Sequence, residues 1–230
     1  MGFNSAQIQK IGKEIRDKVD GKTLFDEFSR GRYSTDASVY QIKPLGVVLP
    51  KDTNDVLNLM EYSQKNSVPL LARGGGSSQC GQTVGESVVL DYSKHQNKIL
   101  ELNVEEKYVW VQPGVVLDHL NDYLKPHGLW FPVDVSTSSR ATIGGMSANN
   151  SCGSRSLYYG NMVHNVLAIE AILDDGSIFN FDQINKNYLA TKNNQDRLYK
   201  IIDKFIDVRQ KVGNEIDANW PTTQRRVGGY

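Results

Sequence analysis

The stretch Arg73-Gly74-Gly75-Gly76-Ser77-Ser78-Gln79-Cys80-Gly81-Gln82 follows directly on Val68–Leu71, an apolar run with the character of a buried strand. Three consecutive glycines let a backbone take positive φ and come close to a ligand. Successive N–H groups can then point into one concavity, an anion nest. The Ser77 and Ser78 hydroxyls add donors, and Arg73 adds charge. A strand that runs into such a loop suits a diphosphate. It is not a Walker motif, because no Lys-Ser or Lys-Thr follows at the right offset. It is not the Rossmann fingerprint either, whose third glycine is replaced here by Gln79. The plainer alternative is a flexible turn between strands.

A second stretch has a related composition. It runs Pro132-Val133-Asp134-Val135-Ser136-Thr137-Ser138-Ser139-Arg140-Ala141-Thr142-Ile143-Gly144-Gly145-Met146-Ser147-Ala148-Asn149-Asn150-Ser151-Cys152-Gly153. A loop that only packs on itself carries more apolar anchors than this. Hydroxyls can reach phosphates, and Gly144-Gly145 permits close backbone approach to a flat ring. A short helix starting near Thr142 would aim its N-terminus at an anion. An ordinary turn-rich connection is again the alternative. Two such loops on one chain favour a single elongated dinucleotide over two unrelated turns.

Outward from these loops the chain alternates helix and strand. Ile8, Ile11, Ile15 and Val19 give residues 5–19 a helical stripe, with Gly21 as a stop. Leu45–Leu49 reads as a strand, and Asp52 or Thr53 caps a helix that runs towards Asn66. Ser87–Asp91, Ile99–Asn103 and Tyr108–Gln112 read as three more strands. Val116, Leu117, Leu120, Tyr123 and Leu124 mark another helix, ended by Pro126 and Gly128. Val166–Leu173 and Ile178–Phe181 flank Asp174-Asp175-Gly176-Ser177, a hairpin signal. Asn185–Asn194 reads as a solvated loop. Leu198 to Val212 carry a last helical stripe. The end, Trp220 to Tyr230, shows no closing element and reads as a chain that stops short. The pattern is α+β.

The 230 residues, 39% hydrophobic and 23% charged, can bury a core, which excludes collagen-like and wholly disordered readings. Lys+Arg 26 balance Asp+Glu 26, so no global basic field draws nucleic acid or anionic lipid. Two cysteines, Cys80 and Cys152, make neither a disulfide framework nor a four-cysteine metal site, and a reducing compartment fits them. Met1–Lys13 lacks the apolar core of a signal peptide, and no run reaches the roughly 20 apolar residues of a membrane span. The expected location is cytoplasmic, with peripheral attachment at an inner membrane left open. None of His95, His119, His127 and His164 lies in metal-ligand spacing, and a structural role is the first reading for each. Arg30, Arg32, Tyr33, Asp36 and Tyr40 either staple the N-terminal segment down or reach towards the ligand.

In these motifs the chain resembles the FAD-binding domain of the vanillyl-alcohol oxidase and p-cresol methylhydroxylase flavoproteins. The nearest type is the FAD-linked oxidases that include D-lactate, glycolate and D-2-hydroxyglutarate dehydrogenases, in their long bacterial form with an iron–sulfur region. The resemblance is carried by Arg73–Gln82, Val111–Gly114, Phe131–Gly153, Tyr159-Gly160-Asn161 and Val166–Gly176. It implies a two-subdomain α+β domain with FAD between the subdomains. Residues 1–39 would be a helical extension and 40–182 the FAD-binding domain, divided near 92–98. Residues 183–230 would begin a truncated following region.

The resemblance also implies which residues hold the cofactor. Gly74, Gly75, Gly76, Ser77 and Ser78, with Arg73, Gly81 and Gln82, would bind the pyrophosphate. Pro132, Asp134, Ser136, Thr137, Ser138, Thr142, Ile143, Gly144 and Gly145 would line it. Ala148, Asn149, Ser151 and Gly153 would touch flavin or its linker, and Gly160 and Ile169 would lie at the adenosine end. The glycine loop holds no His, so the implied FAD is non-covalent. The implied reaction is oxidation of a D-2-hydroxy acid to the 2-oxo acid. The catalytic groups would come from a cap domain beyond residue 230, and the electron acceptor is open, an iron–sulfur region included. The isolated chain would then be inactive and would expose apolar surface along one edge. Two alternatives remain: a nucleotide-binding module without turnover, and a flavin reductase of the nucleotide-sugar type.

Overall fold

The structure, a computed structural model, describes residues 2–182, 197–223 and 226–229. The loop expected at Asn185–Asn194 lies outside them. Helix α1 (Ser5–Arg16) begins at a reciprocal cap, in which Asn4 accepts from the Gln7 N–H and the Gln7 side chain accepts from the Asn4 N–H. Its stripe, Ile8, Ile11 and Ile15, is buried. The chain then turns at Gly21, where a Cβ would stand 2.3 Å from the Leu49 carbonyl oxygen. Only glycine fits there. Strand β1 (Lys22–Leu24) follows, and α2 (Glu27–Arg32) is capped by Asp26.

Strand β2 (Gly46–Leu49), helix α3 (Thr53–Asn66), β3 (Leu70–Arg73) and β4 (Val88–Asp91) complete the first layer. The sheet order is β1-β2-β4-β3, with β2, β4 and β3 parallel and β1 antiparallel at the edge. Every residue of β2 and β4 is buried, as unbroken Val/Leu runs in a parallel sheet require. Ile8, Ile11 and Ile15 of α1 share a core with Val56, Leu59 and Tyr62 of α3 and Val48 and Val88 of the sheet. Residues 1–39 therefore give this layer an edge strand and a covering helix. The buried Asp55 carboxylate ties the same region together. It accepts from the N–H groups of Asp20 (2.8 Å), Gly21 (2.9 Å) and Lys51 (2.7 Å).

The second half is built from hairpins and short helices. Strands β5 (Ile99–Asn103) and β6 (Tyr108–Val111) pair antiparallel, and α4 (Leu117–Leu124) lays Leu120 and Leu124 against their apolar face. Helices α5 (Ile143–Ala148), α6 (Ser156–Tyr159) and α7 (Met162–Asn165) follow. Strands β7 (Ile169–Ile172) and β8 (Ile178–Phe181) form the expected hairpin, with Gly176 at φ 81°. Helix α8 (Arg197–Asn219) buries Leu198 and Ile202 but leaves Phe205 73% exposed and Val208 and Val212 open. Among the described residues no helix is long and apolar enough to cross a membrane, and no His/Cys/Asp/Glu group could hold a metal. The α+β expectation stands, with a parallel core in its first half.

Candidate functional site

Strand β3 delivers the glycine loop at its C-terminal end. Gly76 and Gly81 take left-handed backbone, φ 63° and 74°, so both need glycine. Among the described residues the N–H groups of Gly74, Gly75, Gly76, Ser77 and Ser78 donate to no protein acceptor. A turn with five successive free donors is the kind of backbone from which an anion nest can be built. Ser78 stabilises the return limb: its hydroxyl donates to Gln82 Oε1 (2.5 Å) and accepts from the Cys80 N–H.

The second loop meets the first. A Cβ on Gly74 would fall 2.1 Å from Thr142 Oγ1, and one on Gly75 would fall 2.1 Å from the Arg140 carbonyl oxygen. The Gln82 amide donates to Asn149 Oδ1 at 3.2 Å. Here the glycines serve the approach of backbone to backbone. Gly144 does the same against Pro113, where a Cβ would stand 2.5 Å from the ring, while Gly145 is exposed. Thr142 is buried and caps α5, its Oγ1 accepting from the Gly145 N–H at 3.4 Å. Ile143 packs under α5 against Val115 and Leu120. The hydroxyls of Ser77, Ser136, Thr137 and Ser138 have no protein partner among the described residues. The juncture thus presents unengaged N–H and O–H donors from both loops, a donor set suited to a diphosphate.

Other expected residues lie in supporting positions. Val133, fully buried, fixes the segment between Pro132 and Asp134 in a core with Leu117, Met146 and Met162. The Asp134 carboxylate accepts from the Ser154 hydroxyl (2.7 Å) and the Arg155 N–H (3.0 Å). Burial alone would raise its pKa, but these bonds outweigh burial and hold it below the ordinary carboxylate value. Gly153 packs on Asp134, with room for no Cβ. Ser151 is buried and accepts from the Asn149 amide at 3.0 Å, beside exposed Ala148. Gly160 adopts φ 79°, ψ −177°, and His164 Nδ1 accepts from the Asn161 N–H at 3.0 Å. His164 is thus a cap, the structural role expected of it. Ile169 is exposed on β7, paired with Phe181.

Arg73 is held by protein partners on both sides of the loop. Its guanidinium donates to the carbonyls of Thr83 (3.1 Å) and Thr35 (2.9 Å) and lies 5.2 Å from the Tyr33 ring centre. Of the N-terminal group, Tyr33 donates to Asp91 (2.6 Å), Arg30 is buried against the Pro44 carbonyl, and the Tyr40 ring covers Gly81. Burial and the Asp91 bond both push the Tyr33 hydroxyl pKa well up.

One contact had no sequence signal. The Arg226 and Gly228 carbonyls accept from Asn161 and Asn150, and Gly229 abuts Asn149. This terminal stretch therefore reaches the end of α5. Its contacts are made by backbone atoms, which no residue type announces.

A domain of two facing donor loops, carried on a parallel sheet and a set of hairpins, is that of a known cofactor-binding class. The chain belongs to the FAD binding domain family, whose profile matches residues 44–182. It is 44% identical over 196 residues to D-2-hydroxyglutarate dehydrogenase of Haemophilus influenzae, covering 79% of this chain and 19% of that protein. It is 37% identical over 217 residues to the Escherichia coli protein of the same name, covering 91% of this chain and 21% of that one. The chain therefore spans about a fifth of the length of these two relatives. Among solved structures, p-cresol methylhydroxylase superposes with a TM-score of 0.61 at 19% identity, over 78% of this chain and 36% of that one. That likeness shows the fold.

Proposed function

We propose that this chain is the cofactor-holding part of a flavin-dependent oxidoreductase that oxidises a D-2-hydroxy acid to the 2-oxo acid. The observation that carries the reading is the meeting of the two loops, with five free N–H groups on one and free hydroxyls on the other. The relatives' names, D-2-hydroxyglutarate dehydrogenase, support the substrate class. In this reading residues 40–182 form the FAD domain, divided near 92–98.

Gly74–Ser78 would hold the pyrophosphate through backbone N–H groups, with no net charge of their own. Ser136, Thr137 and Ser138 would orient it from the facing loop. Bound FAD would supply the two-electron acceptor for the substrate carbon. It would be held non-covalently, since the glycine loop offers Ser77, Ser78 and Gln79 where a histidine would be needed for attachment. The reading assigns no catalytic base within the 230 residues.

The test is direct. The purified chain should carry flavin absorbance, or its melting temperature should rise with added FAD, because a ligand that binds only the folded state stabilises it. A chain with no flavin absorbance and no thermal shift in excess FAD would exclude the reading.

A further inference from the structure

The segment that precedes the family match wraps the outside of the glycine loop. The Ala37 N–H donates to the Gly76 carbonyl at 3.1 Å, inside the triple glycine itself. Asp36 accepts from the Thr83 hydroxyl at 3.0 Å and from its N–H at 3.5 Å, on the return limb. Its other oxygen accepts from the Ser38 N–H at 2.8 Å, which fixes the carboxylate. The Tyr40 ring fills the space over Gly81. Arg73 joins the two sides: one guanidinium nitrogen donates to Thr35 on this segment, the other to Thr83 on the loop. Each limb of the glycine loop is therefore tied to residues 35–40, while the N–H groups of Gly74–Ser78 stay unengaged among the described residues.

We infer that residues 35–40 are a strap that presets the glycine loop for the cofactor, and that Arg73 is a positioning residue which acts through this strap. The inference rests on the proposed FAD site and deepens it. A guanidinium spans two carbonyls in a fixed planar fork, and an ammonium cannot reproduce that geometry. The shape of Arg73 therefore matters, and its charge alone does not. A phosphate contact would depend chiefly on the charge.

Arg73→Lys and Arg73→Met separate the two. Amide hydrogen exchange is measured at Ala37 and Thr83 in the cofactor-free chain, and FAD affinity by flavin fluorescence. Both variants should exchange faster at these amides and bind FAD more weakly, each by about tenfold, the scale of one lost charge-assisted hydrogen bond. Asp36→Ala should do the same from the other side of the strap. Asp52→Ala, which removes the cap of α3, should lower the melting temperature and leave exchange at Ala37 and Thr83 close to wild type. An Arg73→Lys variant that binds FAD like wild type while Arg73→Met does not would overturn the inference in favour of a direct charge contact. Unchanged exchange in all three strap variants would overturn it as well. Faster exchange with unchanged FAD affinity would reject the link to the cofactor. If the wild-type chain itself binds no FAD, the proposed function fails, and the exchange result still decides the strap.

Discussion

The parallel sheet and the two-loop juncture are packed by opposite means. In β2 and β4 the chain excludes water with branched side chains, and Val47, Val48, Val88 and Val89 are wholly buried. At the juncture it brings chains together by having no side chain at all, at Gly74 and Gly75. The sheet's stability rises with apolar volume, whereas the juncture tolerates no added atom. The lesson is that substitutions should sort by region. In the sheet they alter stability and leave ligand affinity alone; at the loops they alter affinity first.

The largest expected effect tests the first half of that contrast. Leu59→Ala, at a fully buried position in α3, should cost about 3 kcal/mol in denaturant unfolding. The FAD affinity of its folded fraction should stay near wild type. Next comes Asp55→Ala, which strips three backbone N–H groups of their shared acceptor and should cost about 2–3 kcal/mol. Gly75→Ala tests the other half. Its new methyl meets the Arg140 carbonyl, and an overpacking cost of about 1–3 kcal/mol predicts FAD affinity some 10- to 100-fold weaker in a titration. A variant equal to wild type in affinity would break the comparison.

The smallest effect concerns pH. The Asp134 carboxyl is held below its ordinary value of 3.8, so its stabilisation is complete at neutral pH and fades as pH falls through the lowered value. The melting-temperature gap between wild type and Asp134→Asn should therefore be open at pH 7 and narrow as the pH falls below 3.8.

Long periodic elements were legible in the sequence. The spacing of Ile8, Ile11 and Ile15 marked α1, and Asp52 marked the start of α3. Strand β3 runs Leu70–Arg73, two residues later than the apolar run Val68–Leu71 implies. The cause is local: Ser67 turns at φ 53° to end α3, and Pro69 can donate no ladder bond. Helix α8 extends to Asn219, past Val212, where Ile216 carries the apolar spacing one turn further. Strand β1 and helix α2 left no signal, since three to six residues complete too little of any period. The two stretches were legible as turn-rich from their glycines and hydroxyls. What was not legible is that Gly74 and Gly75 face protein, and that Arg73 is engaged behind the loop. Both depend on which distant segment arrives at the site.

The five unengaged peptide groups of the glycine loop have one more consequence. A peptide N–H does not ionise in the range where proteins work. A grip made from such dipoles cannot be switched off by acid or base, and added electrolyte weakens it less than it weakens a lysine cluster. Under the proposed reading, retention of FAD should therefore stay nearly level from mildly acidic to mildly alkaline buffer.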